Sequence, residues 1–405
     1  MTQTFAQEHS QTKLLPLSAF VLKVASRCNL NCSYCYMYNL LDKTYKDQPM
    51  VMSQVVVDAV IEKTKKHALE HGLQRIDFIF HGGEPLLAGE EFFRYFVATA
   101  NSVMLPEVTP SFSMQTNGTL LNEAWLELFE ELSIFIGISL DGDKETNDAN
   151  RVDHQGKGSY DKVAAAIKLI QSRPQTLQNW CGILTVVNVN SDALGTYNHF
   201  RELAVGAIDL RLPDATHDTP PEGATGDSLV TPYADWLVPI FDQWFENPNT
   251  DFRIRLFENI IGLIFGSPTT TEDVGGKMSN FAVIETNGGI EPPGALKACE
   301  EGLTKVGLNI LTHDIDDVYD NQLFATFLSG TANLCDTCKS CPVVSVCGGG
   351  KFAHRYSSEQ KFDNPSVYCE DLKKLITHIQ RRTVESLPES VRSRMRLAPL
   401  MQTEE

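Results

Sequence analysis

Apolar residues fall in short runs, separated by longer segments in which they recur every three or four positions. The runs read as strands and the periodic segments as helices. "AFVLKVAS" (19–26) is the first strand, and "SQVVVDAVIEKTKKHALEHG" (53–72) is a helix with Ser53 as N-cap and Gly72 as its stop. Further strands are expected at "IDFIFHGG" (76–83), "SFSMQTNG" (111–118), "IFIGISLDG" (134–142), "CGILTVVN" (181–188) and "AIDLRLPD" (207–214). Helices near 90–104, 123–132, 160–170 and 191–204 separate them. Six strands alternating with helices imply a parallel sheet covered by helices, either doubly wound or a partial barrel. In both architectures ligands gather at the C-terminal strand ends. Four unusual segments sit there: the loop "RCNLNCSYCY", then "HGGEP", "QTNG" and "SLDG".

The pattern then changes. Residues 229–274 read as a helical bridge, and 275–387 as a small domain rich in glycine, proline and cysteine, closed by a helix near 367–387. A small domain with so little periodicity needs a metal to hold it. The assignment is therefore 1–17 as a disordered N-terminus, 18–228 as the α/β unit, 229–274, 275–387, and a loose tail at 388–405.

Composition excludes some functions. The net charge of −18 argues against nucleic acid and anionic membranes as partners. The N-terminus lacks a signal-peptide apolar region, and no run approaches the ~18 apolar residues of a membrane span. The expected location is the cytoplasm, where thiols stay reduced. Ten cysteines there point to metal or redox chemistry before disulfides.

Cys28, Cys32 and Cys35 lie within one loop, and no further Cys or His follows until His67. Structural zinc takes four protein ligands, and a disulfide leaves one thiol over. Three thiolates on a [4Fe–4S] cluster leave one iron open to an outside ligand. The spacing C-x3-C-x2-C, with Tyr34 before the last cysteine, resembles the radical S-adenosylmethionine (SAM) superfamily. That resemblance implies a partial (β/α)6 TIM-type barrel and SAM chelated to the open iron. It also implies a 5′-deoxyadenosyl radical that takes hydrogen from the substrate. Gly82, Gly83 and Glu84 of "GGEP" resemble the motif that meets the methionyl group of SAM. Gln115, Thr116, Asn117 and Ser139 resemble its polar contacts, and Arg151 the arginine that pairs with its carboxylate. Val186 and Val187 fall near the expected adenine-contacting positions. The plainer alternative for each is a turn, a cap or a core residue.

Cys338, Cys341, Cys347 and the later Cys369 resemble a SPASM domain, a module that carries auxiliary [4Fe–4S] clusters. A four-thiolate zinc site is the alternative. Lys351 stands where that pattern has a further cysteine, and upstream only Cys299 remains. One auxiliary cluster is therefore expected, with Cys335 spare and Cys181 a core residue. The runs "LPDATHD", "CGGGKFAHRY" and "FDNPSVYCEDL" resemble the FxSxx-type maturases, which form cyclophanes (triceptides).

The resemblance implies a C–C crosslink between an aromatic ring and a nearby β-carbon of a ribosomally made precursor peptide. The auxiliary cluster would accept an electron, and a flavodoxin or ferredoxin would supply one. Asp214, His217 and Asp218 are the candidate bases. His354 and Arg355 are candidates for positioning substrate or cluster. The alternatives are formylglycine formation in sulfatases, thioether formation, epimerisation, or a non-enzymatic iron–sulfur scaffold or electron carrier.

Overall fold

The computed structural model describes residues 14–225, 227, 229–247, 251–269, 271–276 and 279–392. The expectations for 1–13 and 393–405 lie outside the described residues.

The six expected strands are present: β1 (Ala19–Ala25), β2 (Arg75–Gly82), β3 (Thr109–Thr116), β4 (Ile134–Ser139), β5 (Trp180–Val186) and β6 (Ala207–Arg211). All pair in parallel and in chain order. Three short strands extend the sheet: β7 (Arg253–Ile254), β8 (Phe281–Ile284) and β9 (Ile290–Glu291). The resulting order is β7-β6-β5-β4-β3-β2-β1-β8-β9. β8 pairs in parallel with β1, so the sheet continues into the cysteine-rich segment.

Alternation along β2 and β3 sets the two faces. Phe78, Phe80 and Phe112 are buried under the helices, with Phe78 and Phe112 stacked at 6.1 Å. Ile79, Ser113 and Gln115 face the other way and are half-buried, as lining of a barrel interior should be. Helices Gln54–Glu70, Glu90–Met104, Glu123–Leu132, Tyr160–Gln171 and Ala193–Glu202 cover the outside. The Ser53 hydroxyl caps the first, accepting from Val56 N at 3.4 Å.

The bridge consists of helices Pro232–Glu246 and Arg255–Ile264. The last long helix, Cys369–Glu385, packs on both. Its Asp371 accepts from Tyr233 N and Ala234 N at 2.8 and 2.9 Å, satisfying two free donors at a helix start. Beyond it, Glu389–Arg392 form one short helical turn. Among the described residues, no helix is long and apolar enough to cross a membrane.

Candidate functional site

The three-cysteine loop leaves β1 at the C-terminal rim of the sheet. Backbone bonds from Asn31 N to Val152 O (2.7 Å) and from Ser33 N to Asn150 O (3.1 Å) fasten it to the segment after β4. Glycines fasten its other side. Gly83 N donates to Ala25 O at 2.8 Å and Glu84 N to Arg27 O at 3.0 Å. A Cβ on Gly83 would lie 1.9 Å from Tyr38 Oη and 2.3 Å from Arg27 O. Gly82 has φ +146°, and a Cβ there would meet Ala25 O at 2.2 Å. Both glycines therefore let the second strand end press on the cysteine loop.

The expected polar positions converge here. Glu84 is fully buried and accepts from Leu86 N (3.2 Å), Thr116 Oγ1 (2.6 Å) and Asn117 N (2.9 Å). Burial raises its pKa, although these three donors pull it down. Two donors sit on Oε1 and one on Oε2, which leaves one acceptor position on Oε2. Asn117 Nδ2 points at Cys28 Sγ at 3.7 Å and donates to Asn29 Oδ1 at 2.9 Å. Gln115 Nε2 donates to Ser139 Oγ at 3.0 Å, so these two residues bond each other.

Tyr34 donates its hydroxyl to Asp141 and accepts from Arg151 Nη1 at 2.7 Å. Burial penalises the Arg151 charge, but Tyr34, Asp141 and Cys32 outweigh it and hold the guanidinium protonated. Arg151 Nε is buried without a partner. Asp141 also accepts from Val186 N at 3.0 Å, joining the ends of β4 and β5. Sequence reasoning noted "SLDG" as a segment but did not single out Asp141. Its signal was an acid at a strand end beside a glycine.

Beside this loop lies a cavity of about 500 Å³. Ser33 and Tyr34 line one side, Val186 and Val187 another, and Pro213, Asp214 and Ala215 a third. Asp214 is ion-paired with Lys351 at 2.6 Å, and both side chains are largely buried. Burial lowers the pKa of Lys351, but Asp214 and Glu272 raise it by more. The position expected for a further cysteine thus holds a charged lysine bonded to a residue of the cavity wall.

The other two candidate bases are elsewhere. His217 Nε2 bonds Pro365 O at 2.9 Å, and Asp218 accepts from Ser358 N at 2.7 Å. Neither lines the cavity. They dock the loop after β6 onto the C-terminal segment, a role that only the tertiary contact reveals.

The second thiol group is also assembled. Cys338, Cys341, Cys347 and Cys369 line one pocket of about 150 Å³, with Pro342, Val343 and Val344. Cys335 does not line it, although it packs against Cys338. Cys299 is buried in a separate apolar group with Leu296 and Tyr356, its thiol directed at Ala353 O at 3.7 Å. Cys181, expected in the core, is exposed, because its position on β5 points outward. Arg355 donates to Asn333 O (2.5 Å) and Phe362 O (2.9 Å), tying backbone segments together.

The donor sets fit clusters better than single ions. Tetrahedral zinc with 2.3 Å bonds holds its sulfurs about 3.8 Å apart. Among the described residues, no three cysteines bring their sulfurs within 4.8 Å of one another. A multi-iron cluster spans wider ligand sets. Burial pushes Cys28 up to about 12 and Cys35 to about 11. Cys347 is likewise pushed to about 12. These thiolates therefore need a bound cation to form. For SAM, the three-thiol set, the spare Glu84 acceptor and the orphan Arg151 donor are a suitable set of partners.

Residues 22–192 match the Radical SAM superfamily. A cysteine-type anaerobic sulfatase-maturating enzyme of Clostridium novyi (strain NT) is 28% identical over 363 residues, covering 88% of this chain and 93% of the relative. A serine-type anaerobic sulfatase-maturating enzyme of Bacteroides thetaiotaomicron is 27% identical over 364 residues, 84% of each chain. Among solved structures, native anSMEcpe with bound AdoMet and Kp18Cys peptide superposes with a TM-score of 0.77. It shares 24% identity, over 92% of this chain and 99% of that one.

Proposed function

The chain is a radical SAM enzyme, and from that premise we propose that it oxidises a side chain within a peptide or protein substrate at its β-carbon. The observation that carries this reading is the cavity, which has the cysteine loop on one wall and the Lys351-bound Asp214 on another. A volume of about 500 Å³ admits a peptide residue with its neighbours.

In this reading Cys28, Cys32 and Cys35 hold a [4Fe–4S] cluster with one open iron. Glu84, Asn117 and Arg151 hold SAM, with Thr116, Gln115, Ser139 and Tyr34 positioning them. Cys338, Cys341, Cys347 and Cys369 hold one auxiliary [4Fe–4S] cluster. When bound, these cofactors supply hydrogen-atom abstraction at carbon and a one-electron acceptor. A flavodoxin or ferredoxin supplies the reducing electron.

The chain's own residues do the rest. Val186, Val187, Pro213 and Leu41 give the cavity apolar walls that exclude water from the reacting carbon. After hydrogen abstraction the substrate must lose one electron and one proton. Asp214 takes the proton at Oδ2, because Oδ1 is occupied by Lys351. The lysine stays charged and keeps the carboxylate in place.

The relatives' names favour an aldehyde product, formylglycine, from a Cys or Ser side chain. A cyclophane crosslink is the second reading. It is favoured by the Lys351–Asp214 pair and by the apolar packing of Cys299, which leave a single four-thiol pocket among the described residues. Anaerobic incubation with SAM, a reductant and test peptides separates them. One peptide carries Cys or Ser, and another an aromatic-x-x stretch. A hydrazide-reactive product supports the first reading. Loss of two hydrogens with a fragment-resistant internal link supports the second. Absence of 5′-deoxyadenosine would sink both.

A further inference from the structure

The opposite rim of the sheet carries a second cluster of ligand-type side chains that the reaction does not use. His67 and His71 lie four residues apart near the end of helix Gln54–Glu70, so they share one face. Asp316, about 250 residues later, comes from the short helical segment Ile315–Asp320. His67 Nδ1 lies 2.5 Å from Asp316 Oδ1, and His71 Nε2 lies 2.9 Å from Asp316 Oδ2. One ligand atom from each of the three falls within 4.8 Å of the others. Leu17, just before β1, supplies the next contact: its carbonyl lies 3.0 Å from His67 Nε2.

This arrangement fixes the tautomer. A carbonyl only accepts, so His67 Nε2 carries the hydrogen. A neutral His67 therefore aims the Nδ1 lone pair at a carboxylate oxygen, acceptor against acceptor. Something positive must lie between them, a proton or a metal ion. Burial lowers the pKa of His67 more than Asp316 raises it, which disfavours the proton. An N–H bonded to a backbone carbonyl is also the usual outer contact of a metal-bound histidine. The neighbouring lysine does not compete, because Lys66 is bonded to Asp314 at 2.7 Å. His71 is about one-third exposed and Asp316 40% exposed, so a fourth position is open to water.

We propose that His67 Nδ1, His71 Nε2 and the Asp316 carboxylate bind one zinc ion, which clamps the barrel's first helix to the C-terminal segment. Zinc suits two imidazoles and one carboxylate in tetrahedral geometry. Bonds of about 2.0–2.1 Å place ligand atoms roughly 3.3 Å apart, so the present contacts open by less than 1 Å on binding. The site sits where the chain enters β1 and β2, the end of a barrel that serves stability and not catalysis.

The test is calorimetric titration of ZnCl2 into the cluster-loaded enzyme, with cluster absorbance followed in parallel. The expected result is one zinc per chain, unchanged cluster absorbance and a higher melting temperature. His71→Gln alters a partly exposed ligand and leaves the fold intact. It should weaken zinc at least about tenfold, abolish the thermal shift and preserve 5′-deoxyadenosine formation. Asp316→Asn should behave alike. Failure to take up zinc, uptake unaffected by His71→Gln, or uptake that bleaches the clusters would overturn the proposal.

Discussion

The two thiol sites of this chain contrast in completeness and in surroundings. Cys28, Cys32 and Cys35 come from one loop at the sheet's rim, with Glu84, Asn117, Asp141 and Arg151 gathered from the ends of other strands. Cys338, Cys341, Cys347 and Cys369 come from two segments and close a small pocket walled by Pro342, Val343 and Val344. Where ligands are one short, polar groups with spare hydrogen-bonding capacity stand by, notably Arg151 Nε. Where the set is complete, the walls are mostly apolar. An initiating centre must admit a second molecule, whereas an electron acceptor only has to be held and shielded.

Removing one ligand from each site should break the contrast most sharply. Cys28→Ala should reduce 5′-deoxyadenosine formation to background, while Cys299→Ala should leave it unchanged, as chromatography of the nucleoside will show. Next in size is Asp214→Asn. Product formation should fall about 10²- to 10⁴-fold while 5′-deoxyadenosine formation persists. The same change strands Lys351 in a largely buried position, at a cost of about 3–5 kcal/mol on denaturant unfolding.

His354 lies between the two regions, 1% exposed, with Nε2 unpartnered and its ring 4.8 Å from Tyr368. Burial holds its pKa down to about 3. A depressed folded-state pKa means full stability above the unfolded value near 6.5, lost as pH falls from there towards 3. Denaturant titrations should show that acid-dependent loss flattened in His354→Phe, by on the order of 4 kcal/mol at most. The smallest effect is expected for Gly83→Ala. The added Cβ must displace Tyr38 or the Arg27 carbonyl, costing about 1–3 kcal/mol.

The sequence made the six long strands legible because each is an apolar run bounded by turn residues. It also made both thiol sets legible, through spacing alone in the first and resemblance in the second. β7 and β9 have two residues each, too few to carry a pattern, and β8 is defined by its pairing with β1 some 260 residues away. The base was narrowed only by tertiary structure. Asp214, His217 and Asp218 are near neighbours in "LPDATHD", yet only Asp214 lines the cavity. Its partner Lys351 is 137 residues distant, which no local rule connects. Cys181 was misjudged for a simpler reason: it sits on a β-strand's outward phase at the strand's start, where the apolar run had not yet begun.

The central claim is one open three-thiol cluster site and one closed four-thiol cluster site. Iron and zinc content of the anaerobically reconstituted chain, measured beside Cys347→Ala and the triple Cys28→Ala, Cys32→Ala, Cys35→Ala variant, tests it most directly. The account predicts about eight irons per wild-type chain and about four in each variant, with no zinc held by the thiols. About twelve irons in the wild type, or zinc that disappears on Cys347→Ala, would contradict it.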